Sequence, residues 1–123
     1  MQGYDQEAAV RYITGKIDRS AHKGFSPSQI DSLLRKAVEY DLQYMKENGV
    51  IGPEGEAGDS FYDDDEAFEY ISDNLCKVFG GNDETAMRIC ALVDDYMDLQ
   101  EEYMEQSVLH ANSVAPILVS REQ

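Results

Sequence analysis

Long apolar runs are missing from this chain of 123 residues, and their absence excludes a membrane-spanning helix. The first ten residues, MQGYDQEAAV, also lack the basic and then apolar order of a secretory signal. Cysteine is scarce, and Cys76 and Cys90 have no metal-type spacing, which predicts free thiols in a reducing compartment. We therefore expect a single cytoplasmic domain that does not contact membranes.

Histidine is equally scarce, and this limits the chemistry that the chain can perform. Neither His22 nor His110 follows an acidic residue by three positions, as the Glu-x-x-His pattern of di-metal helical bundles requires, and we expect both at the surface. The acidic segment 59–73 has no register with the oxygen ligands and glycine of a calcium loop, and no glycine-rich loop resembles a phosphate cradle. The sequence predicts no catalytic residue, no metal site and no cofactor.

Basic residues are rare beyond position 50. Residues 1–50 hold seven basic and seven acidic residues, whereas residues 51–123 hold three basic and eighteen acidic residues. The formal net charge of −15 therefore arises entirely in the second part of the chain. Such a field repels nucleic acid and anionic membranes and attracts basic protein surfaces or cations, so we expect no direct binding to nucleic acid.

An internal duplication accounts for much of the remaining pattern. The segment YDQEAAVRYI (4–13) and the segment YDDDEAFEYI (62–71) share five of ten positions. After a glycine-containing break the match resumes with Ile30 opposite Ile89 and continues to the Tyr-Met pairs at 44–45 and 103–104. A repeated helix, turn and helix explains both matches. The predicted units are repeat 1 at about 4–51, a linker at 49–61, repeat 2 at about 62–109 and a tail at 110–123.

Each repeat has the pattern of two helices separated by a glycine turn. The sequence SPSQ at 26–29 is a capping box with proline at the first helical position, and Asp63 followed by Glu66 predicts a second box. Asn82 or Asp83 is the predicted cap of the last helix. Caps and helical periodicity together predict helices at about 5–21, 27–48, 63–79 and 83–106.

The predicted fold is all-α, with four helices in two duplicated helical hairpins that form a pseudo-two-fold bundle. A glycine-rich linker joins the hairpins, and we expect it to be flexible. The C-terminal tail is apolar enough to dock on the bundle or on a neighbouring chain, and Pro116 breaks any long helix there. A helix exchange through the linker would produce a homodimer, so the oligomeric state stays open.

Acidic residues concentrate on one face of the fourth predicted helix and at the start of the third. On a helical wheel Asp94, Asp98, Glu101 and Glu105 fall together, opposite the apolar residues. Like charges at i,i+4 destabilise a helix, and a face needed only for solubility normally mixes signs. The candidate protein-binding residues are Asp64, Glu66, Glu69, Asp94, Asp95, Asp98, Glu101, Glu102 and Glu105.

These features predict a non-enzymatic interaction module that binds a basic protein surface. A sharper version is a phage-type inhibitor that imitates the charge of nucleic acid and occupies the groove of a nucleic-acid-binding protein. One alternative is a structural or oligomeric helical protein in which acidity serves only solubility. The remaining alternative, ranked last, is weak divalent-cation binding or a metal-dependent enzyme.

Overall fold

The structure is a computed structural model that describes residues 5–52 and 58–106. Within these ranges it confirms the predicted all-helical class, with four α-helices. None of the helices in the described ranges is long and apolar enough to cross a bilayer. The elements are α1 (Gln6–Lys16), a 3₁₀ turn (Arg19–His22), α2 (Pro27–Glu47), α3 (Asp64–Phe79) and α4 (Asp83–Gln106).

The first helix ends earlier than the sequence predicts. The periodicity predicts a helix to residue 21, whereas Ile17 is extended with ψ of 140° and α1 ends at Lys16. Asp18 then accepts hydrogen bonds from the backbone N–H and the hydroxyl of Ser20, at 3.0 and 2.6 Å, and starts the 3₁₀ turn. A short acidic side chain competes with the helical backbone for such donors, and this local competition is not visible in the apolar periodicity.

The second helix begins at the predicted capping box. Ser26 Oγ accepts a hydrogen bond from the Gln29 N–H at 3.2 Å, and Gln29 Oε1 accepts one from the Ser26 N–H at 2.8 Å. At α4 the cap is Asn82, whose side chain accepts from the Thr85 N–H at 2.9 Å. These side chains satisfy N–H groups that the first helical turn leaves without a partner.

The start of α3 departs from its predicted capping box. Asp63 caps the helix by accepting from the N–H groups of Asp65 and Glu66, at 3.0 and 3.1 Å. The Glu66 carboxylate accepts a hydrogen bond from Tyr44 on α2 rather than closing the box with Asp63. A tertiary contact has therefore replaced the local one that the spacing predicts.

Replacing the α2 cap tests how much the Ser26 side chain stabilises the helix. We expect Ser26→Ala to lower the free energy of unfolding by about 1 kcal/mol, because the Gln29 N–H loses its acceptor. Ser32→Ala is the matched control, since Ser32 lies exposed within the same helix, where alanine is favourable. Urea denaturation of both variants measures the difference, and equal effects would contradict the capping role.

The helices pack around one another as a closed ring. Helix α1 contacts α2 and α4, α3 contacts α2 and α4, and α2 also contacts α4. Arg35 pairs with Glu7 at 2.9 Å, whereas Arg19 pairs with Asp31 one turn earlier on α2, so α1 and α2 run antiparallel. Because α2 packs on α3 as well as on α1, these contacts do not divide the bundle into two separate hairpins, and the duplication stays a prediction.

Positions that the predicted duplication makes equivalent are buried alike in the core of the described bundle. Ile13 and Ile71 are both 0% exposed. Two tyrosine pairs also have matching geometry, with ring centroids 5.7 Å apart in each. The pairs are Tyr12 with Tyr103, at an interplanar angle of 49°, and Tyr44 with Tyr70, at 50°.

The described ends of the predicted linker are hydrogen-bonded to each other. The Gly58 N–H donates to the Val50 carbonyl at 2.8 Å, and the Ser60 N–H donates to the Gly49 carbonyl at 3.0 Å. A Cβ on Gly58 would lie 2.2 Å from the Gly49 carbonyl oxygen, so this approach requires glycine. Residues 53–57 of the predicted flexible linker, and the predicted tail, lie outside the described residues.

Candidate protein-binding site

An acidic groove of about 300 Å³ lies between α3 and α4. Phe68 and Met97, both half-buried, form its apolar part. None of the described residues that line it is basic. Its acidic lining residues are Asp64, Asp65, Asp94, Asp98 and Glu101.

The spacing of these residues explains why they share one groove. Asp94, Asp98 and Glu101 follow i, i+4 and i+7 spacing, which places them on one face of α4. Asp64 lies at the start of α3 and Glu101 near the end of α4, so the two helices that form the groove are antiparallel. The acids in the first turn of α3 also interact favourably with the positive end of its helix dipole.

The groove concentrates negative charge where water can reach it. Asp64, Asp94 and Asp98 are exposed, and Asp94 and Asp98 repel one another at i,i+4 spacing. A second depression, on the α1 side, is lined by Lys16 and by Asp98, which also lines the groove. One basic side chain therefore lies near the groove. Charges exposed in this way act over about 8 Å at physiological ionic strength, and salt weakens their attraction for a cation.

Asp95 lies on the side of α4 that faces the 3₁₀ turn. Its Oδ2 is 2.6 Å from Nε2 of His22, whose side chain is only 4% exposed. The expectation that His22 lies at the surface is therefore wrong. The 3₁₀ turn packs on α4 and so places the His22 imidazole beside the Asp95 carboxylate. The carboxylate gives the buried imidazole a hydrogen-bond partner.

Two more candidate carboxylates accept hydrogen bonds from tyrosines of other helices. Glu102 accepts from Tyr12 on α1 at 3.0 Å, and Glu66 accepts from Tyr44 on α2 at 3.0 Å. Burial, followed by the hydrogen bond to Glu66, raises the pKa of Tyr44 to about 12. Through this hydrogen bond Glu66 contributes to helix packing as well as to surface charge.

The structure thus brings four of the nine predicted residues together in the groove. Glu69 is exposed and Glu105 is half-buried, and neither lines the groove. Asp65, Phe68 and Met97 line it but were absent from the predicted set. Phe68 lies at i+4 from Asp64 and at i+3 from Asp65. Met97 lies three residues after Asp94 and four before Glu101. These helical spacings are the sequence signals for the additional lining residues.

Other chemistry has little support in the described ranges. No group of three or more His, Cys, Asp or Glu residues there is placed to hold a metal ion. Cys76 and Cys90 are free and half-buried. Burial, together with the nearby Cys90 thiol, raises the pKa of Cys76, which disfavours the reactive thiolate.

Comparison with known proteins adds no assignment. No protein-family model, no characterised protein and no solved structure matches this chain.

Proposed function

We propose that this protein is a non-enzymatic interaction module and that the acidic groove between α3 and α4 binds a basic surface of another protein. The observation that carries the proposal is the lining of that groove, which has carboxylates on both walls and no basic side chain among its described residues. Phe68 and Met97 offer apolar contact beside the charges. Exposed charges mainly direct and orient association, whereas apolar contacts add affinity, so this combination suits a protein partner.

The charge density of the groove supports the sharper proposal that it imitates nucleic acid. The stretch from Asp94 to Glu101 spans roughly 10 Å at the helical rise of about 1.5 Å per residue. Three carboxylates of α4 lie along that stretch, one per roughly 5 Å, and Asp64 and Asp65 on the facing start of α3 add two charges to the same groove. Each strand of duplex DNA carries one charge per about 3.4 Å of axis, which is a density of the same order. A nucleic-acid-binding protein is therefore the partner class that this proposal favours.

The proposed duplication explains why the acidity belongs to the second pair of helices. The matching burial of equivalent isoleucines and the matching tyrosine pairs support two copies of one hairpin, related by a pseudo-two-fold axis. Arg35 occupies the position in repeat 1 that Asp94 occupies in repeat 2, and Arg35 is paired with Glu7. Repeat 1 thus balances its charges internally, whereas repeat 2 carries the excess.

A binding assay at two ionic strengths tests the proposed function. The probes are purified basic DNA- and RNA-binding proteins, and their affinity for this protein is measured by calorimetry in low and in high salt. We expect binding that weakens steeply as salt rises and that double-stranded DNA competes away. Binding that DNA does not displace would contradict the nucleic-acid mimic. The absence of salt-dependent binding to every basic protein tested would contradict the interaction module.

Self-association is the second candidate, because several large apolar side chains are exposed. Met87 is 71% exposed, and Val78 and Phe79 near the end of α3 are 54% and 43% exposed. Such residues can contribute to contacts between copies of the chain. Light scattering distinguishes the candidates, since a structural oligomer predicts a stable dimer in high salt without any basic partner.

A further inference from the structure

A carboxyl group lies in the core of the bundle, remote from the charged surface. Asp41 of α2 is 0% exposed. Its Oδ1 accepts a hydrogen bond from Tyr62 Oη at 2.7 Å, and its Oδ2 accepts from Tyr96 Oη at 2.6 Å and from Gln100 Nε2 at 3.0 Å. Gln100 Nε2 also donates to Tyr96 Oη at 2.8 Å. Three segments of the chain therefore meet at this one side chain.

Among the described residues, the cluster around Asp41 contains no positive charge. Among residues 5–52 and 58–106, no lysine, arginine or histidine forms an ion pair with it. Tyr62 faces it from the segment before α3, Tyr96 and Gln100 face it from α4, and the negative Asp64 acts on it from the start of α3. The described parts of α1 and the 3₁₀ turn supply no hydrogen bond to it. An ionised carboxylate in such a place has donors but no counter-ion.

We propose that Asp41 is a proton-binding site built into the core, which makes the bundle more stable as the solution is acidified. The cluster accommodates either protonation state, because a tyrosine hydroxyl can donate to a carboxylate or accept from a carboxylic acid. Burial raises the pKa of Asp41, the hydrogen bonds from Tyr96, Tyr62 and Gln100 oppose that rise, and the negative Asp64 adds to it. The net result is a pKa of Asp41 above its ordinary value of 3.8.

The sign of the pH dependence follows from this direction. In the unfolded chain Asp41 releases its proton near pH 3.8, whereas in the folded protein it keeps the proton to a higher pH. Between the two pKa values unfolding releases a proton, so a rise in pH favours unfolding. The contribution of Asp41 to the free energy of unfolding is complete below pH 3.8 and is lost as the pH rises through the pKa of the folded state. Each unit of difference between the two pKa values changes the unfolding equilibrium constant about tenfold.

The test compares urea unfolding of the wild-type protein and of Asp41→Asn from pH 4 to pH 8 at constant ionic strength. Asparagine has a similar size and does not titrate. We expect the stability advantage of the wild type over Asp41→Asn to be largest at pH 4 and to shrink as the pH rises. An advantage that is constant or that grows with pH would overturn the proposal.

A surface control separates this effect from general charge repulsion, which acidification also relieves in so acidic a protein. Asp98→Asn removes one exposed carboxylate, and its difference from the wild type should not follow the pH dependence of Asp41→Asn. If Asp41→Asn does not fold, a carbon-13 NMR titration of the Asp41 carboxyl in the wild-type protein tests the same proposal. A titration midpoint above 3.8 supports the proposal, and a midpoint at or below 3.8 overturns it.

Discussion

Replacing Asp64, Asp94 and Asp98 by asparagine should weaken binding to a basic protein partner and leave the bundle folded. These three exposed carboxylates come from both walls of the acidic groove. If each exposed charge contributes about 0.2–1 kcal/mol, the triple variant loses roughly 0.6–3 kcal/mol, or about 3- to 150-fold in affinity. Calorimetry at physiological ionic strength measures the loss, and the salt dependence of the remaining binding should become shallower.

The stability of this triple variant should change little. Loss of the Asp94–Asp98 repulsion at i,i+4 spacing is favourable by a few tenths of a kcal/mol. Loss of Asp64 from the first turn of α3 is unfavourable by about 0.3–1 kcal/mol, because its charge interacts with the helix dipole. The two effects nearly offset one another, so reduced binding would not reflect unfolding.

The matched control for the triple variant neutralises Glu47, Asp59 and Asp73. These residues are also exposed, and none of them lines the groove. The control changes the net charge by the same amount, so it should reduce binding much less if the groove is the contact surface. Equal losses in the two variants would show that only net charge matters and would contradict a localised site.

Truncating the core should have the largest effect on stability. We expect Ile13→Ala and Ile71→Ala each to lower the free energy of unfolding by about 2–5 kcal/mol, because each removes a fully buried side chain and leaves a cavity. That loss is a large part of the roughly 5–15 kcal/mol by which small domains are stable. Urea denaturation monitored by circular dichroism measures both variants.

The two truncations also test whether equivalent positions of the proposed repeats carry equivalent structural roles. Similar losses at Ile13 and Ile71 are the expected result. Met87→Ala is the control, since Met87 is 71% exposed on α4 and its replacement should change stability by about 0.5 kcal/mol or less. A loss at Ile71 as small as that of the control would contradict the assignment of α3 to the core.

Local signals in the sequence predicted the helices that begin at strong caps. The helix predicted at 27–48 is observed as Pro27–Glu47, and the one predicted at 83–106 is observed as Asp83–Gln106. A capping side chain acts within three or four residues, so its effect is readable from sequence. The end of α1 was missed because Asp18 starts a competing turn that then packs on α4.

The sequence by itself determined that the protein is helical and that its negative charge lies in the second part of the chain, because both follow from residue type and local spacing. Only the tertiary structure decided which carboxylates share a groove and which accept hydrogen bonds from other helices. A helical wheel orients a side chain about its own helix axis and contains no information on the neighbouring helix. For the same reason Asp41, which shares the phase of the core residues Val38 and Met45, acquired its role only when Tyr62, Tyr96 and Gln100 met around it.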